Sequence, residues 1–231
     1  HRVDRRQRQM CIRDRSGTSI LKLSGIHNWN NEGVLQALDG LVICDGTTNL
    51  QGAGTYTFKN VTVNIAKSLN QLVPIEIFVN GDFTNFGTFN PSSHKVTFKG
   101  NTEQFISGNM PINLSSMEID NSFGVTLNQP ISIANTFTLT SGNLNTSAAN
   151  ILTMTSTSNV INNSALSFVN GPMKKTGNSS FVFPIGKNGN WRRLGISSPS
   201  TISSEVTAEY FDNQAINTSM INSPLNAVSV I

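Results

Sequence analysis

Glu118 and Asp120 stand two residues apart in "MEID" and form the clearest carboxylate pair on a strand-like segment of this chain. Residues i and i+2 of a strand leave on the same face, so both acids should meet solvent side by side. Two carboxylates so placed can act as general acid and base, or hold Ca²⁺ weakly. The plainer reading is two ordinary outward positions, because the segment that aligns with them carries Thr62 and Asn64.

Other candidates are thin. Lys174–Lys175 and Arg192–Arg193 flank "FVFPIGKNG" (181–189) and could meet an acidic glycan or simply form a solvated hairpin face. His27 and His94 fall at non-equivalent points, with no Cys or carboxylate at ligand spacing. A zinc site needs three or four converging ligands, so both are read as exposed turn residues and no metal is assigned. Cys44, in "LVICDG", reads as a buried, inert thiol, since no basic residue stands beside it. The threonine rows "TFTLT" (136–140) and "TMTST" (153–157) raise ice binding, which needs a flat Thr array on successive coils. Thr is also simply a good strand former on a solvent face. No catalytic residue and no cofactor is assigned.

These residues sit in an unusual background. About a third of the 231 residues are Asn, Ser or Thr, and 13% are charged, against about a quarter in ordinary globular domains. No apolar stretch is long enough to be a membrane span. The formal charge of +3 is unevenly placed: residues 1–15 hold six Arg and two Asp, and the remainder has a net charge of −1. "RRQRQMCIRDR" (5–15) matches, without a mismatch, the in-frame translation of a transposon-type sequencing-library adapter. Residues 1–15 are therefore read as a non-native tail. Cys11 goes with it, and so does the case for a nucleic-acid-binding arm. The native N-terminus, with any export signal, is then expected to be missing, and the apolar ending "NAVSVI" suggests a truncated C-terminus.

Along the body, aromatic anchors recur at a spacing of 54: Trp29, Phe83, Phe137 and Trp191. "LVICDG" (41–46) aligns with "KVTFKG" (95–100), and Val61 and Val63 with Met117 and Ile119. Inside each copy the period is two, as in "TYTFKN" and "NTFTLT", with Gly, Asn, Ser and Pro at the breaks. Such segments read as short half-buried strands. "EGVLQALDG" (32–40) is the nearest thing to a helix and aligns with strand and turn. Short strands in a fixed repeat must cover one another, which stacking achieves. The expected fold is all-β, a right-handed parallel β-helix or solenoid of 54-residue repeats, each two to three coils. A β-sandwich is the runner-up. The divisions are a lead-in at 16–27, the solenoid at 28–180, and a capping or sandwich-like segment at 181–231. The expected core includes Trp29, Val42, Val61, Val63, Ile75, Phe83, Val96, Phe98, Ile119, Leu127, Phe137, Leu139 and Phe168.

The stretches 81–108, 117–146 and 167–196, above all "GPMKKTG…FVFPIG" (171–186), resemble a repeat family of large secreted and cell-surface proteins of Bacteroidetes-type bacteria. The resemblance implies an extracellular, adhesin-like β-solenoid, associated with type IX secretion. It transfers no catalytic residues. The chain is thus expected to be a non-enzymatic structural or adhesive module, a stiff spacer whose partners are surface glycans or other surface proteins. Two alternatives stay open: a polysaccharide-active β-helix enzyme, using Glu118 and Asp120, and an ice-binding solenoid. Charges of both signs clustered on adjacent coils would favour the enzyme, and an unbroken Thr rank would favour ice.

Overall fold

The structure is a computed structural model that describes residues 19–211, the side chains of 35–39 excepted. The tail at 1–15 lies outside the described residues.

Strict alternation builds the strands. In Thr55–Val63, Tyr56, Phe58, Val61 and Val63 are buried and the residues between them are not. A strand with one apolar face must be covered by a neighbour. Here the neighbour is the next turn of the same chain. The described residues contain no helix; their strands stack in parallel as a β-solenoid of about seven turns. Among the described residues no helix is long and apolar enough to cross a membrane.

Each turn lays down three short runs, which stack into three faces. The first face holds 34–37, 55–58, Ile77–Val79, Lys95–Phe98, Ser116–Asp120, Thr136–Ser141 and Asn159–Ile161. The second holds 20–23, 41–44, 60–63, Phe83–Asn85, Gln104–Gly108, Val125–Leu127, Leu144–Asn145 and Val169–Asn170. The third begins with 26–30, 47–51, Ser68–Gln71 and Thr88–Asn90. After an interruption in the pairing it resumes with Ile112–Leu114, Ile131–Ile133, Leu152–Met154 and Met173–Thr176.

One turn takes about 21 residues: Ile20 lies against Leu41, Val34 against Thr55, Tyr56 against Ile77, and Lys95 against Ser116. The 54-residue spacing is therefore not the structural repeat. It equals roughly two and two-thirds turns, so each anchor moves on to another face. Trp29 lies against Leu50 on the third face, Phe83 against Val61 on the second, and Phe137 against Met117 on the first. The pairings inferred from that spacing fall with it. Val42 stacks on Val61 rather than in the column of Val96, and Cys44 stacks on Val63 rather than in that of Phe98. Stacking also starts at Ile20, inside the stretch expected as a lead-in.

Like residues stack on like. Tyr56, Ile77, Val96, Met117 and Phe137 form one buried column; Phe58, Val79, Phe98, Ile119 and Leu139 form the next. Every residue of the expected core is buried except Trp29, which is half-buried and meets Tyr56 edge-on at 5.6 Å. The corners are tight. At Gly142 (φ +76°) an added Cβ would lie 1.8 Å from the Asn121 carbonyl oxygen, so only glycine fits.

Outside, amides bond along the axis. Asn49 donates to Asn28, Asn70 to Asn49, and Asn90 to Asn70, each at 2.8 Å. A second line runs from Asn170 to Asn145 at 2.9 Å, to Thr126 at 3.0 Å and to Glu103 at 2.7 Å.

Antiparallel pairing joins the parallel stack after residue 176, while Phe181–Lys187 still pairs parallel with Val169–Asn170 on the second face. Phe181–Lys187 and Asn190–Ile196 form an antiparallel hairpin around Asn188 and Gly189, both at positive φ, as a two-residue type I′ turn requires. Glu205–Ala208 then pairs antiparallel with Met173–Thr176.

Candidate functional site

Ser116–Asp120 points Met117 and Ile119 inward and Glu118 and Asp120 outward, as its alternation predicts. The preceding coil places a lysine on each acid. Lys95 bonds Glu118, and Lys99 lies 2.8 Å from Asp120. Thr140 on the following coil donates to Glu118 at 2.6 Å, and Thr97 reaches it at 3.4 Å. Glu118 stacks between Thr97 and Thr138; Thr62 and Asn64, aligned with the pair by comparison of the repeats, lie on the second face and its edge.

Charges of both signs do gather here on adjacent coils, the arrangement that favours an enzyme. They neutralise one another. Burial alone would raise the Glu118 carboxyl, but the hydrogen bonds from Lys95 and Thr140 outweigh it and hold the group below its usual range. A general acid for glycosidic cleavage needs the opposite, a carboxyl kept protonated near neutrality. Lys99 is pushed up by its bond to Asp120. The geometry is that of two cross-strand ion pairs.

The four basic candidates separate. Lys174 faces outward and pairs with Glu205 at 2.9 Å. Lys175 faces inward and is 2% exposed, so it presents no charge to a glycan. It occupies the column of Leu114, Ile133 and Met154. Its Nζ donates to the carbonyls of Thr155 and, at 2.9 Å, Ser156, and lies 5.3 Å from the centre of the Phe181 ring. Desolvation lowers its pKa. Alternation decides the difference, because neighbouring residues of a strand take opposite faces.

Arg192 and Arg193 lie on the hairpin and line a cavity of about 450 Å³ together with Ile185, Trp191, Leu194, Glu209 and Tyr210. Arg193 lies 5.1 Å from the Trp191 ring centre and Arg192 5.8 Å from that of Tyr210. Glu209 is engaged by Lys187 at 3.2 Å. Glu209 and Tyr210 had no local sequence signal: the chain passes through 197–204 before returning to the hairpin.

A second concavity, about 470 Å³, runs over three rungs at the corner between the second and third faces, lined by Met110, Pro111, Asn128, Gln129, Pro130 and Asn150 among others. No charged side chain lines it.

Cys44 is fully buried, and burial pushes its thiol up to about 11. His94 lies in an exposed bend, but His27 lies within the strand Ile20–Asn30 rather than in a turn, its Nε2 2.7 Å from the Ser24 carbonyl oxygen. Among the described residues no three His, Cys, Asp or Glu side chains gather as a metal site. The two threonine rows lie on different faces. Thr138 belongs to a column reading Thr57, Phe78, Thr97, Glu118, Thr138, Ile161, while Thr153 stacks on Ser132. Compared with known proteins, the chain matches no family model, no curated protein and no solved structure.

Proposed function

We propose that this chain is a non-enzymatic structural and adhesive module of an exported bacterial surface protein, a stiff spacer that also presents binding surfaces to glycans. The observation that carries the reading is the axial bonding. Asn28, Asn49, Asn70 and Asn90 link four successive turns on the outside while the buried columns run continuously within. Hydrogen bonds and packing along one direction resist bending and stretching in that direction. The carboxylates of the first face fit this role, since they tie coil to coil. Export, with a type IX signal, rests on the sequence resemblance.

The competing enzyme reading draws on Lys95, Lys99, Glu118 and Asp120. One experiment separates the two. Immobilised chain is challenged with a panel of acidic and neutral polysaccharides, and both retention and released product are measured. The module reading expects retention without product. Product formation that disappears in Glu118→Gln/Asp120→Asn would replace it with an enzyme.

A further inference from the structure

Most lysines of this protein have a carboxylate near them: Lys22 with Asp45, Lys95 with Glu118, Lys99 with Asp120, Lys174 with Glu205, Lys187 with Glu209. The hairpin arginines differ. Among the described residues neither Arg192 nor Arg193 has a carboxylate partner, and the acid in their cavity wall, Glu209, is bound to Lys187. A cation with no carboxylate beside it is free to pair with an incoming anion.

Each guanidinium lies near an aromatic ring. Arg193 lies over Trp191 and Arg192 over Tyr210, and Arg192 also donates to the Trp191 carbonyl at 3.0 Å. A guanidinium presents N–H groups along its edge, and that fork matches a carboxylate or sulfate with two parallel bonds. Fixing the side chain beforehand reduces the ordering cost of binding. The cavity of about 450 Å³ falls in the range of small-ligand sites, roughly 300–1,000 Å³. Ile185 and Leu194 add an apolar wall beside the charges.

We propose that this cavity binds the acid group of an anionic sugar, carboxylate or sulfate, with Arg192 and Arg193 as the binding residues. The proposal rests on the adhesive reading above and gives it a ligand class and a place. A sugar is favoured over an acidic peptide because one ring offers both features the cavity matches, an apolar C–H face for Ile185 and Leu194 and an acid at its edge.

The chain has two tryptophans, so Trp29→Phe leaves Trp191, under Arg193, as the single indole reporter. Its emission is titrated with tri-galacturonic acid, the uncharged methyl ester of that sugar, a chondroitin sulfate tetrasaccharide and penta-glutamate. A saturable change is expected with an acidic sugar, and whether the carboxylate or the sulfate binds more tightly identifies the source of the anion. The methyl ester should bind at least about tenfold more weakly, as should Arg192→Gln/Arg193→Gln, since charge-assisted hydrogen bonds carry that much. Arg192→Lys/Arg193→Lys keeps the charge without the fork and should fall between; it also serves if the glutamine pair lowers the melting temperature. Equal binding of the ester, an unaffected arginine variant, penta-glutamate binding as tightly as the sugars, or no binding of any probe would each overturn the site. Retention of glycans that is indifferent to the arginine variant sinks the site and leaves the adhesive reading standing. A glycan panel with no retention at all sinks both.

Discussion

Asn70 donates its side-chain amide to the oxygen of Asn49 at 2.8 Å and accepts from Asn90 at the same distance. It is thus an interior member of a line that spans four turns; its removal breaks two bonds of that line, and a third to the Ser68 hydroxyl at 3.3 Å, where removal of Asn90 breaks one. Asn70→Ala should therefore cost about 1–3 kcal/mol through the two bonds of the line, at about 0.5–1.5 kcal/mol for each net hydrogen bond, and Asn90→Ala about half as much. For a chain of this length the thermal midpoint moves by about 2–4 °C per kcal/mol. Equal losses at the two positions in thermal or urea unfolding would show that the line does not act as a continuous unit.

Lys175 occupies a place that its column gives to Leu114, Ile133 and Met154. The carbonyls it serves have other donors: the amide and hydroxyl of Ser158 for Thr155, and the Ser179 hydroxyl for Ser156. Lys175→Met should therefore be neutral or stabilising near pH 7, because a well-packed apolar side chain often outdoes a buried charge. Lys175→Ala, which leaves a void, should cost about 2 kcal/mol or more. The lowered pKa adds a pH signature. The unfolded chain holds this proton to higher pH than the folded one, so the Lys175 contribution to stability rises with pH until the ordinary lysine value, about 10.4, is reached. The difference between wild type and Lys175→Met across the alkaline range isolates that rise; a flat difference would refute it.

At the acid end the sign is the same and the group is Asp45. A hydrogen bond from Asn64, then the contacts with Lys22, lower its carboxyl to about 2. The unfolded chain takes up this proton near the ordinary value of about 3.9. Stability from Asp45 is therefore present above that value and is lost as pH falls toward 2. Asp45→Asn should give a shallower acid limb between about pH 4 and 2 in urea midpoints, and an unchanged limb would count against the pairing.

Cys44 gives a direct probe of the core. Its thiol is buried and pushed up to about 11, and alkylation requires an accessible thiolate. In a Cys11→Ser background, iodoacetamide at pH 8 should leave the native chain unlabelled and label it fully in denaturant. Rapid native labelling would place Cys44 at the surface.

The fold class was legible because alternation is a local property. Tyr56, Phe58, Val61 and Val63 announce a strand with one buried face, and short strands broken by Gly and Asn announce stacking. The turn length was not legible from the anchors, because Trp29, Phe83 and Phe137 mark three different faces and their spacing counts faces as well as turns. Glu118 and Asp120 could be placed side by side from i, i+2 geometry, but Lys95 and Lys99, which neutralise them, are neighbours only once a turn of about 21 residues is known. Lys174 and Lys175 read as a doublet, and a two-residue period already implies that only one can face outward. The cavity at Arg192 needed Tyr210, brought back by the strand Glu205–Ala208, and no local pattern foretells that return.

That returning strand has a further consequence. A stack of parallel coils ends in a row of unpaired backbone groups, which is a template for another chain. Glu205–Ala208 runs against Met173–Thr176 with reversed polarity and occupies this row on the third face. A foreign coil arriving there would meet a short strand of the opposite direction and the Lys174–Glu205 pair. On that face the described stack therefore ends on a four-residue strand of reversed direction rather than on another coil of the repeat.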